Sequence, residues 1–387
     1  MQRHIIIKFH EIALKGRNRP MFIRKLMDNL RTATQGTGIT RIWKGQMMIG
    51  LDFSKDYSWD EVKHRIMNCF GVAKFFRAYS VSPEIEKVKS LIVDYFLNQD
   101  FKTFRITSNR ADKNFGMSSS QLNQELGAFV KEYTHTEVKL KNPDMEIFVD
   151  VIPNRILVYS EELPGYGGLP VGVSGKALAM LSGGIDSPVA AWHMMKRGCQ
   201  VTFVHFHSYP VLDSSSIEKA TELSEWLTRS QYSSSIFLVP LADIQKSLLL
   251  SAPPPYRIVL YRRFMLRIAE DIAMSAGIKA LITGESLGQV SSQTLENIVA
   301  VDNVVNVPVF RPLIGLNKQE IIDKARDIGT YNTSIIPDQD CCTLFVPRNP
   351  VIHSNLDIIE RLESKLDVAN MTQDAIKRTE VRSFTFP

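Results

Sequence analysis

The alternation of strands and helices in the second half of the chain is the feature that most constrains its fold. Short apolar runs rich in β-prone residues alternate there with longer stretches of helical apolar spacing. The predicted strands are 176–181, 200–206, 235–239 and 279–283, and the predicted helices are 186–197, 217–229 and 256–276. Because strands joined through helices pair in parallel, this pattern predicts an α/β fold with a doubly wound parallel sheet.

The first half of the chain has a different pattern, which predicts two smaller α+β units. Between the halves lies Pro164-Gly165-Tyr166-Gly167-Gly168-Leu169-Pro170, the most linker-like stretch of the sequence. The main boundary is therefore placed at this stretch. The predicted domains are residues 1–58, 59–165 and 172–387.

Length and composition limit the class of protein. A chain of 387 residues is too long for one ordinary core, so two or three domains are expected. The net charge of +5 permits an anionic partner without identifying one. No apolar run reaches the roughly 20 residues that span a bilayer, and the first residues lack a signal-peptide core, so a cytoplasmic protein is expected. The four cysteines show no C-x-x-C spacing, which suits a reducing compartment.

The junction of the first strand and first helix of the α/β half carries the clearest chemical signal. It reads Ser182-Gly183-Gly184-Ile185-Asp186-Ser187. Adjacent glycines let several backbone N–H groups point at one anion, and the following helix presents its positive end to a phosphate. The alternative interpretation is a tight turn in which Asp186 caps the helix. No G-K-[ST] follows, so the segment is not a Walker A loop.

This junction resembles the PP-loop of the ATP pyrophosphatases, which cleave ATP between its α and β phosphates. Together with Thr283-Gly284-Glu285-Ser286 and the residues after it, and with Asp340-Cys341-Cys342-Thr343-Leu344-Phe345, it resembles the tRNA 4-thiouridine synthetases, also called tRNA sulfurtransferases. The opening His10-Glu11-Ile12-Ala13-Leu14-Lys15 fits the same family. Phe104-Arg105-Ile106-Thr107 and the residues up to Gly127 are similar to a THUMP domain.

The resemblance implies a ferredoxin-like domain and a THUMP domain that together recognise the 3′ end of tRNA, followed by the PP-loop domain. It also implies ATP and Mg²⁺ as cofactors, with Asp186 acting at the phosphates and the metal. No metal site made by the protein alone is expected. The implied ATP-binding residues are Met180, Leu181, Ser182, Gly183, Gly184, Asp186, Ser187, His205, Phe206, Arg262, Gly284 and Gln293.

Basic residues in the first half are candidates for contact with RNA. They are Lys15, Arg17, Arg19, Arg105, Arg110 and Lys113, the last three interleaved with Phe101, Phe104 and Phe115. Neutralised phosphates and stacked bases are the two interactions that hold single-stranded RNA. The alternative is a solvated basic face above phenylalanines that belong to the core.

The adjacent Cys341 and Cys342 are the candidates for sulfur chemistry. Neighbouring cysteines cannot readily chelate one metal, so a zinc or iron–sulfur site is discounted, and a buried structural thiol is the alternative. The family implies instead that one thiol handles sulfur; Cys342 aligns best, and a gap would shift the match to Cys341. Cys69 and Cys199 lie in apolar contexts and are expected to be structural.

The chain departs from the family members that carry a C-terminal rhodanese domain, because the sequence ends at Pro387, too soon after Cys342 for one. The persulfide donor is therefore open: a cysteine desulfurase, a separate rhodanese protein, or free sulfide. A part in thiamine synthesis, attributed to some members, is weakened for the same reason. The family also suggests a homodimer.

The resulting prediction is an enzyme that adenylates O4 of a tRNA uridine, at position 8 by analogy with the family, and replaces the oxygen with sulfur. One alternative is a different PP-loop enzyme that adenylates RNA. The other is a tRNA-binding protein without catalysis.

Overall fold

The computed structural model describes residues 2–54, 56–338 and 349–387. The chain forms two compact units, divided between Gly167 and Gly168. The division lies inside the stretch rich in glycine and proline noted in the sequence. Each unit has its own β-sheet and its own apolar core.

The first unit is an α+β structure built on a mixed, largely antiparallel sheet. Its strands are β1 (Gln2–Lys8), β2 (Ile39–Lys44), β3 (Met48–Phe53), β4 (Lys74–Val81), β5 (Thr103–Arg110), β6 (Glu137–Val138), β7 (Met145–Ile152), β8 (Arg155–Tyr159) and β9 (Leu163–Pro164). Its helices are α1 (Arg19–Ala33), α2 (Trp59–Met67), α3 (Ile85–Tyr95) and α4 (Ser119–Thr134). The strand order is β2-β3-β1-β4-β8-β7-β5-β6, with β9 on β4.

Strand β4 makes this sheet continuous. It pairs antiparallel with β1 along its whole length, from Lys74 opposite Lys8 to Ser80 opposite Gln2. Its second edge pairs with β8, so the two α+β units expected from the sequence share one hydrogen-bonded sheet. The pattern of the sequence predicted the units but not this strand.

Helix α4 begins after Ser118, which caps it. Gln121 donates its backbone N–H to Ser118 Oγ at 3.2 Å, and Ser118 donates its backbone N–H to Gln121 Oε1 at 2.8 Å. This reciprocal capping box satisfies two N–H groups that the first turn of a helix leaves without partners. Leu122, Leu126 and Val130 then follow at helical spacing and are fully buried against the sheet.

The second unit is the predicted α/β structure. Its strands are β10 (Lys176–Met180), β11 (Gln200–His207), β12 (Ser233–Pro240), β13 (Leu281–Ile282), β14 (Val309–Phe310) and β15 (Glu380–Thr385). Its helices are α5 (Asp186–Lys196), α6 (Ser215–Thr228), α7 (Ala242–Ser251), α8 (Arg257–Ser275), α9 (Leu295–Asp302), α10 (Lys318–Asp327), α11 (Tyr331–Ser334), α12 (Leu356–Glu363) and α13 (Val368–Lys377). The predicted strands and helices up to residue 283 are confirmed, with ends shifted by a few residues.

The strand order β14-β13-β10-β11-β12-β15 places the first strand, β10, at the centre of the sheet. The next strand along the chain lies on one side of β10 and β13 lies on the other. Open α/β sheets bind their ligands at such a reversal, outside the carboxyl ends of the strands. One strand departs from the parallel prediction: β15 pairs antiparallel with β12 and closes that edge.

A buried ion network joins three helices of the second unit. The Glu363 carboxylate on α12 accepts two hydrogen bonds from Arg263, at 2.9 and 2.7 Å, and two from Arg267, at 2.7 and 2.8 Å. Arg263, on α8, is almost fully buried and also donates to the carbonyl oxygen of Ala300 on α9. Burial by itself would raise the pKa of Glu363, but the hydrogen bonds from Arg267 and Arg263 hold that pKa below its usual value of 4.5.

We expect Glu363→Gln to lower the free energy of unfolding by about 3 kcal/mol at pH 7, because it leaves buried guanidinium charge without its counter-ion. A carboxyl group with a lowered pKa stabilises the fold above its unfolded pKa and loses that effect as the pH falls through the folded pKa. The difference between wild type and variant should therefore shrink below about pH 4.5. Urea unfolding followed by circular dichroism at both pH values measures it. Glu360→Gln, on the exposed face of the same helix, is the control, and an equal loss in both variants would contradict the prediction.

Candidate active site

The turn after β10 is tied together by its own serines. Ser182 donates its backbone N–H to Ser187 Oγ at 2.9 Å, and the two hydroxyl groups are 3.0 Å apart. Gly184 donates its backbone N–H to Ser182 Oγ at 3.3 Å. These bonds close a compact loop directly before α5, at the carboxyl end of the central strand. The loop therefore offers backbone N–H groups and a helix N-terminus at the edge where α/β sheets bind ligands.

Asp186, the first residue of α5, is held by two side chains that the sequence did not single out. Lys318 Nζ lies 2.6 Å from Asp186 Oδ1, and Gln289 Nε2 donates to Asp186 Oδ2 at 2.9 Å. Lys318 stands at the start of α10, 132 residues further along the chain. Asp186 is thus a fixed carboxylate beside the loop rather than the residue that caps the helix, since Ile185 occupies the cap position.

A cleft of about 320 Å³, partly open to solvent, adjoins this loop. Its volume lies within the range of small-molecule binding sites. Seven of the residues expected to contact ATP line it together. They are Met180, Ser182, Asp186, Ser187, Arg262, Gly284 and Gln293.

Two of these residues show why their types are needed. A Cβ atom on Gly284 would lie 2.7 Å from the backbone nitrogen of Ser187. Only glycine at this position therefore lets the segment after β13 approach the loop Ser182–Ser187 so closely. Gln293 Oε1 is buried and accepts no hydrogen bond within the described residues. A buried acceptor without a donor is costly, and a ligand that donates at this point would satisfy it.

Glu285 and Arg311 belong to the same cleft but were missing from the expected set. The buried Glu285 carboxylate forms ion pairs with Arg262 and with Arg311, the latter at 2.5 Å, and it accepts a hydrogen bond from Thr283 Oγ1 at 2.8 Å. Arg311 also forms a bidentate pair with Asp302. Glu285 therefore fixes two guanidinium groups at the wall of the cleft. It stands inside the motif that carries the family resemblance, which was the available signal.

The other five expected residues are not among those that line the cleft. Phe206 is buried in the apolar core of the unit, and Leu181 is also buried. His205 is buried as well, with Nδ1 at 2.9 Å from the carbonyl oxygen of Leu181 and Nε2 at 3.3 Å from Ser216 Oγ. His205 therefore supports the start of the loop. Gly183 and Gly184 form the loop itself, and Gly184 is exposed.

The candidate RNA-binding residues of the first unit fall into two groups. Lys15, Arg17 and Arg19 follow β1, where Lys15 pairs with Glu11 at 3.2 Å and Arg19 donates to the carbonyl oxygen of Ala13 at 2.7 Å. The other group lies on β5 and the loop after it, and three strands separate β5 from β1 in the sheet.

In this second group, Lys113 is exposed, Arg110 donates to the carbonyl oxygens of Phe115 and Met117, and Arg105 lies 3.6 Å from Glu146. The interleaved phenylalanines are core residues. Phe104 is fully buried, and Phe101 and Phe115 are partly buried against the same core. Phe104 therefore offers no exposed ring on which a base could stack.

Cys341 and Cys342 lie outside the described residues, as does Asp340 of the same motif. Cys69 and Cys199 are both buried, in keeping with a structural role. Burial also raises the pKa of Cys199, which makes this thiol a weaker source of the thiolate that sulfur chemistry needs.

Within residues 2–54, 56–338 and 349–387, no group of three or more histidine, cysteine, aspartate or glutamate side chains is arranged to hold a metal ion. No helix within these ranges is both long and apolar enough to cross a membrane.

Family comparisons agree with this architecture in order and in extent. Residues 172–368 match the family described as "Thiamine biosynthesis protein (ThiI)". The ThiI ferredoxin-like domain matches residues 4–75, and the THUMP domain matches residues 85–161. A probable tRNA sulfurtransferase of Thermus thermophilus is 46% identical over 380 residues, which cover 98% of this chain and 93% of that protein. The chain belongs to the ThiI family.

Two further relatives extend the match over the whole chain. A probable tRNA sulfurtransferase of Acetivibrio thermocellus is 38% identical over 391 residues and covers 100% of both chains. A crystal structure of a 4-thiouridine synthetase–RNA complex with bound ATP superposes with a TM-score of 0.90 at 35% identity, over 99% of this chain and 100% of that one. The expected order of a ferredoxin-like domain, a THUMP domain and a PP-loop domain is thereby confirmed for this ThiI protein.

Proposed function

We propose that this ThiI protein is an ATP-dependent tRNA sulfurtransferase that makes 4-thiouridine. The observation that carries the proposal is the cleft at the turn Ser182–Ser187, which gathers seven expected ATP contacts in a chain 46% identical to a probable tRNA sulfurtransferase. ATP would lie in this cleft, with its phosphates on the backbone N–H groups of the loop and the N-terminus of α5. Arg262 and Arg311, both held by Glu285, place guanidinium groups at the wall of this cleft.

Asp186 is the candidate ligand for a cation at the phosphates. A carboxylate beside a triphosphate repels it unless positive charge lies between them, and Lys318 already provides one such charge at 2.6 Å. Mg²⁺ is bound in nucleotide sites by one or two carboxylates together with phosphate oxygens, so a single protein carboxylate fits it. We therefore propose that Asp186 holds Mg²⁺ when ATP is bound. The ion would supply charge stabilisation for the departing pyrophosphate.

The first chemical step would activate the uridine. Its O4 attacks the α-phosphorus, the bond to the β-phosphate breaks, and pyrophosphate leaves together with the proton from N3. The product carries AMP on O4, which turns a poor leaving oxygen into a good one. By the family resemblance the uridine is at position 8. The chain's part in this step is positioning and charge stabilisation, the two contributions that dominate phosphoryl and nucleotidyl transfer.

The second step would exchange oxygen for sulfur at C4. Sulfide attacks C4 directly and expels AMP. If the terminal sulfur of a persulfide attacks instead, a neighbouring thiol must cleave the S–S bond, which releases 4-thiouridine and leaves a disulfide for an external dithiol to reduce. Cys342, with Cys341 as the alternative, is proposed to carry or resolve the sulfur. The donor is proposed to be a cysteine desulfurase or a separate rhodanese protein.

The first unit is proposed to bind tRNA, because it contains the THUMP domain. The candidate contacts remain the six basic residues of its two groups, with phosphate neutralisation as their role. Because Phe104 is fully buried, base stacking on its ring is not part of this proposal. A homodimer is proposed from the resemblance alone.

Mass spectrometry of nucleosides tests the function. tRNA incubated with the protein, ATP, Mg²⁺ and sulfide should yield 4-thiouridine, with one AMP and one pyrophosphate released for each modified nucleoside. A thiolated product at another base position would favour the different PP-loop enzyme. tRNA binding without any pyrophosphate release would favour the protein without catalysis.

A further inference from the structure

Lys219 on α6 is a buried charge that the mechanism above does not use. Only 5% of its side chain is exposed. An ammonium group in such a place is costly unless partners compensate it. The partners that compensate the Lys219 charge therefore indicate what this residue does.

All of these partners come from one short segment. Lys219 Nζ donates to the carbonyl oxygen of Ile336 at 2.6 Å and to that of Ser334 at 3.3 Å, and it lies 3.1 Å from Asp338 Oδ1. An ammonium group has three N–H donors, so residues 334–338 use its full capacity. Lys219 consequently fastens the stretch after α11 to α6.

The ion pair between Lys219 and Asp338 lies against the turn Ser182–Ser187, called the nucleotide loop from here on. A Cβ atom on Gly183 would overlap Asp338 Oδ2 and come within 2.5 Å of Lys219 Cε. The ion pair is thus in contact with the loop backbone, and the lack of a side chain at Gly183 makes room for it. One turn earlier on α6, Ser216 contacts His205, which in turn contacts the carbonyl oxygen of Leu181 at the start of the loop. Helix α6 therefore holds both the loop and the segment.

Asp338 stands three residues before Cys341 in the sequence. We propose that Lys219 is a positioning residue for sulfur transfer: its ammonium group fixes residues 334–338 against the nucleotide loop, so that the chain leading to the paired cysteines departs from the ATP site. This inference rests on the proposed function. It assigns Lys219 a part in the transfer of sulfur rather than in the activation of the uridine.

The variant Lys219→Met keeps an unbranched side chain of nearly the same length and removes its charge. By itself it would leave the Asp338 carboxylate beside the phosphate site, where it would repel ATP and raise the KM for ATP. Adding Asp338→Asn removes that repulsion, so the double variant isolates the loss of the anchor. We expect the double variant to have a KM for ATP within about threefold of wild type.

Comparing sulfide with a persulfide donor distinguishes a loss of positioning in the sulfur-transfer step from a general loss of enzyme activity. With sulfide, which attacks the adenylated uridine directly, the double variant should form 4-thiouridine within about threefold of the wild-type rate. With a persulfide donor its rate should fall at least about tenfold, because displacement of a reacting group by 1 Å costs up to about 100-fold. Lys219→Arg, which keeps the charge, should restore part of the persulfide rate. The control is Lys246→Met, whose side chain is 58% exposed.

Equal losses with both donors, or no loss with either, would overturn the positioning role. A wild-type protein that makes no 4-thiouridine from sulfide would instead overturn the proposed function, and the inference with it. If Lys219→Met fails to fold by circular dichroism, Asp338→Asn alone keeps the test, since it weakens the same anchor without burying an apolar group. It should then lower the persulfide rate by about threefold and spare the sulfide rate, and an unchanged persulfide rate would refute the inference.

Discussion

Asp186→Asn should lower ATP-dependent pyrophosphate release by about 1000-fold, while the affinity for tRNA stays within about twofold. The carboxylate lies at the first turn of α5, held by Lys318 and Gln289, where a cation must offset the charge of the triphosphate. Loss of one preorganised electrostatic contact at reacting phosphates has effects of this size. Asparagine has nearly the same shape, so the change is mainly one of charge. Pyrophosphate release in the presence of tRNA and filter binding of labelled tRNA measure the two quantities.

The matched control is Asp323→Asn on α10, the helix that carries Lys318. Asp323 is 61% exposed and pairs only loosely with Arg326, at 3.6 Å, so its loss should leave both measurements unchanged. If Asp186→Asn weakens tRNA binding as strongly as it slows adenylation, the proposed division between the two steps is wrong.

Cys342→Ser should abolish thiolation from a persulfide donor while ATP-dependent pyrophosphate release continues. The thiol acts only after the uridine has been activated. A serine hydroxyl has nearly the same size but a far higher pKa, so it cannot carry sulfane sulfur at neutral pH. With sulfide as the donor, part of the activity should return. The measurement is 4-thiouridine per tRNA with each donor, in the presence of a reducing dithiol.

Cys341→Ser should have the smaller effect, and the reverse ranking would transfer the role to Cys341. The control is Cys199→Ala, since that thiol is buried and its pKa is raised by burial. If both serine variants use the persulfide donor at the wild-type rate, neither thiol takes part. The sulfur step would then belong wholly to the donor protein.

Features fixed by neighbouring residues could be predicted from the sequence. The capping box at Ser118 and the loop Ser182–Ser187 depend on residues within five positions of each other, so a local sequence pattern can encode them. In the second unit, the predicted strands and helices up to residue 283 follow from apolar spacing, but helix α7 was not predicted. The boundary placed at residue 58 stays a prediction.

Features fixed by distant residues could not be predicted. Lys219 contacts Ser334, which is 115 residues away, and Lys318 contacts Asp186 across 132 residues. No local spacing encodes either pair. Strand β15 was also missed: its side chains are mostly exposed, so it lacks the apolar run that marked the parallel strands. For His205 and Phe206, the family resemblance identified the region of the site, but His205 is buried against the carbonyl oxygen of Leu181 and Phe206 is buried in the apolar core.

Strand β4 limits how this protein can be recombined with others. The ferredoxin-like match ends at residue 75 and the THUMP match begins at residue 85, yet β4 lies between them and pairs with strands of both. A chimera cut at this point would separate β4 from one of its neighbours and leave a row of unpaired N–H and C=O groups, the usual template for aggregation. The two sequence modules are therefore one unit of exchange, and a viable graft carries residues 2–167 together.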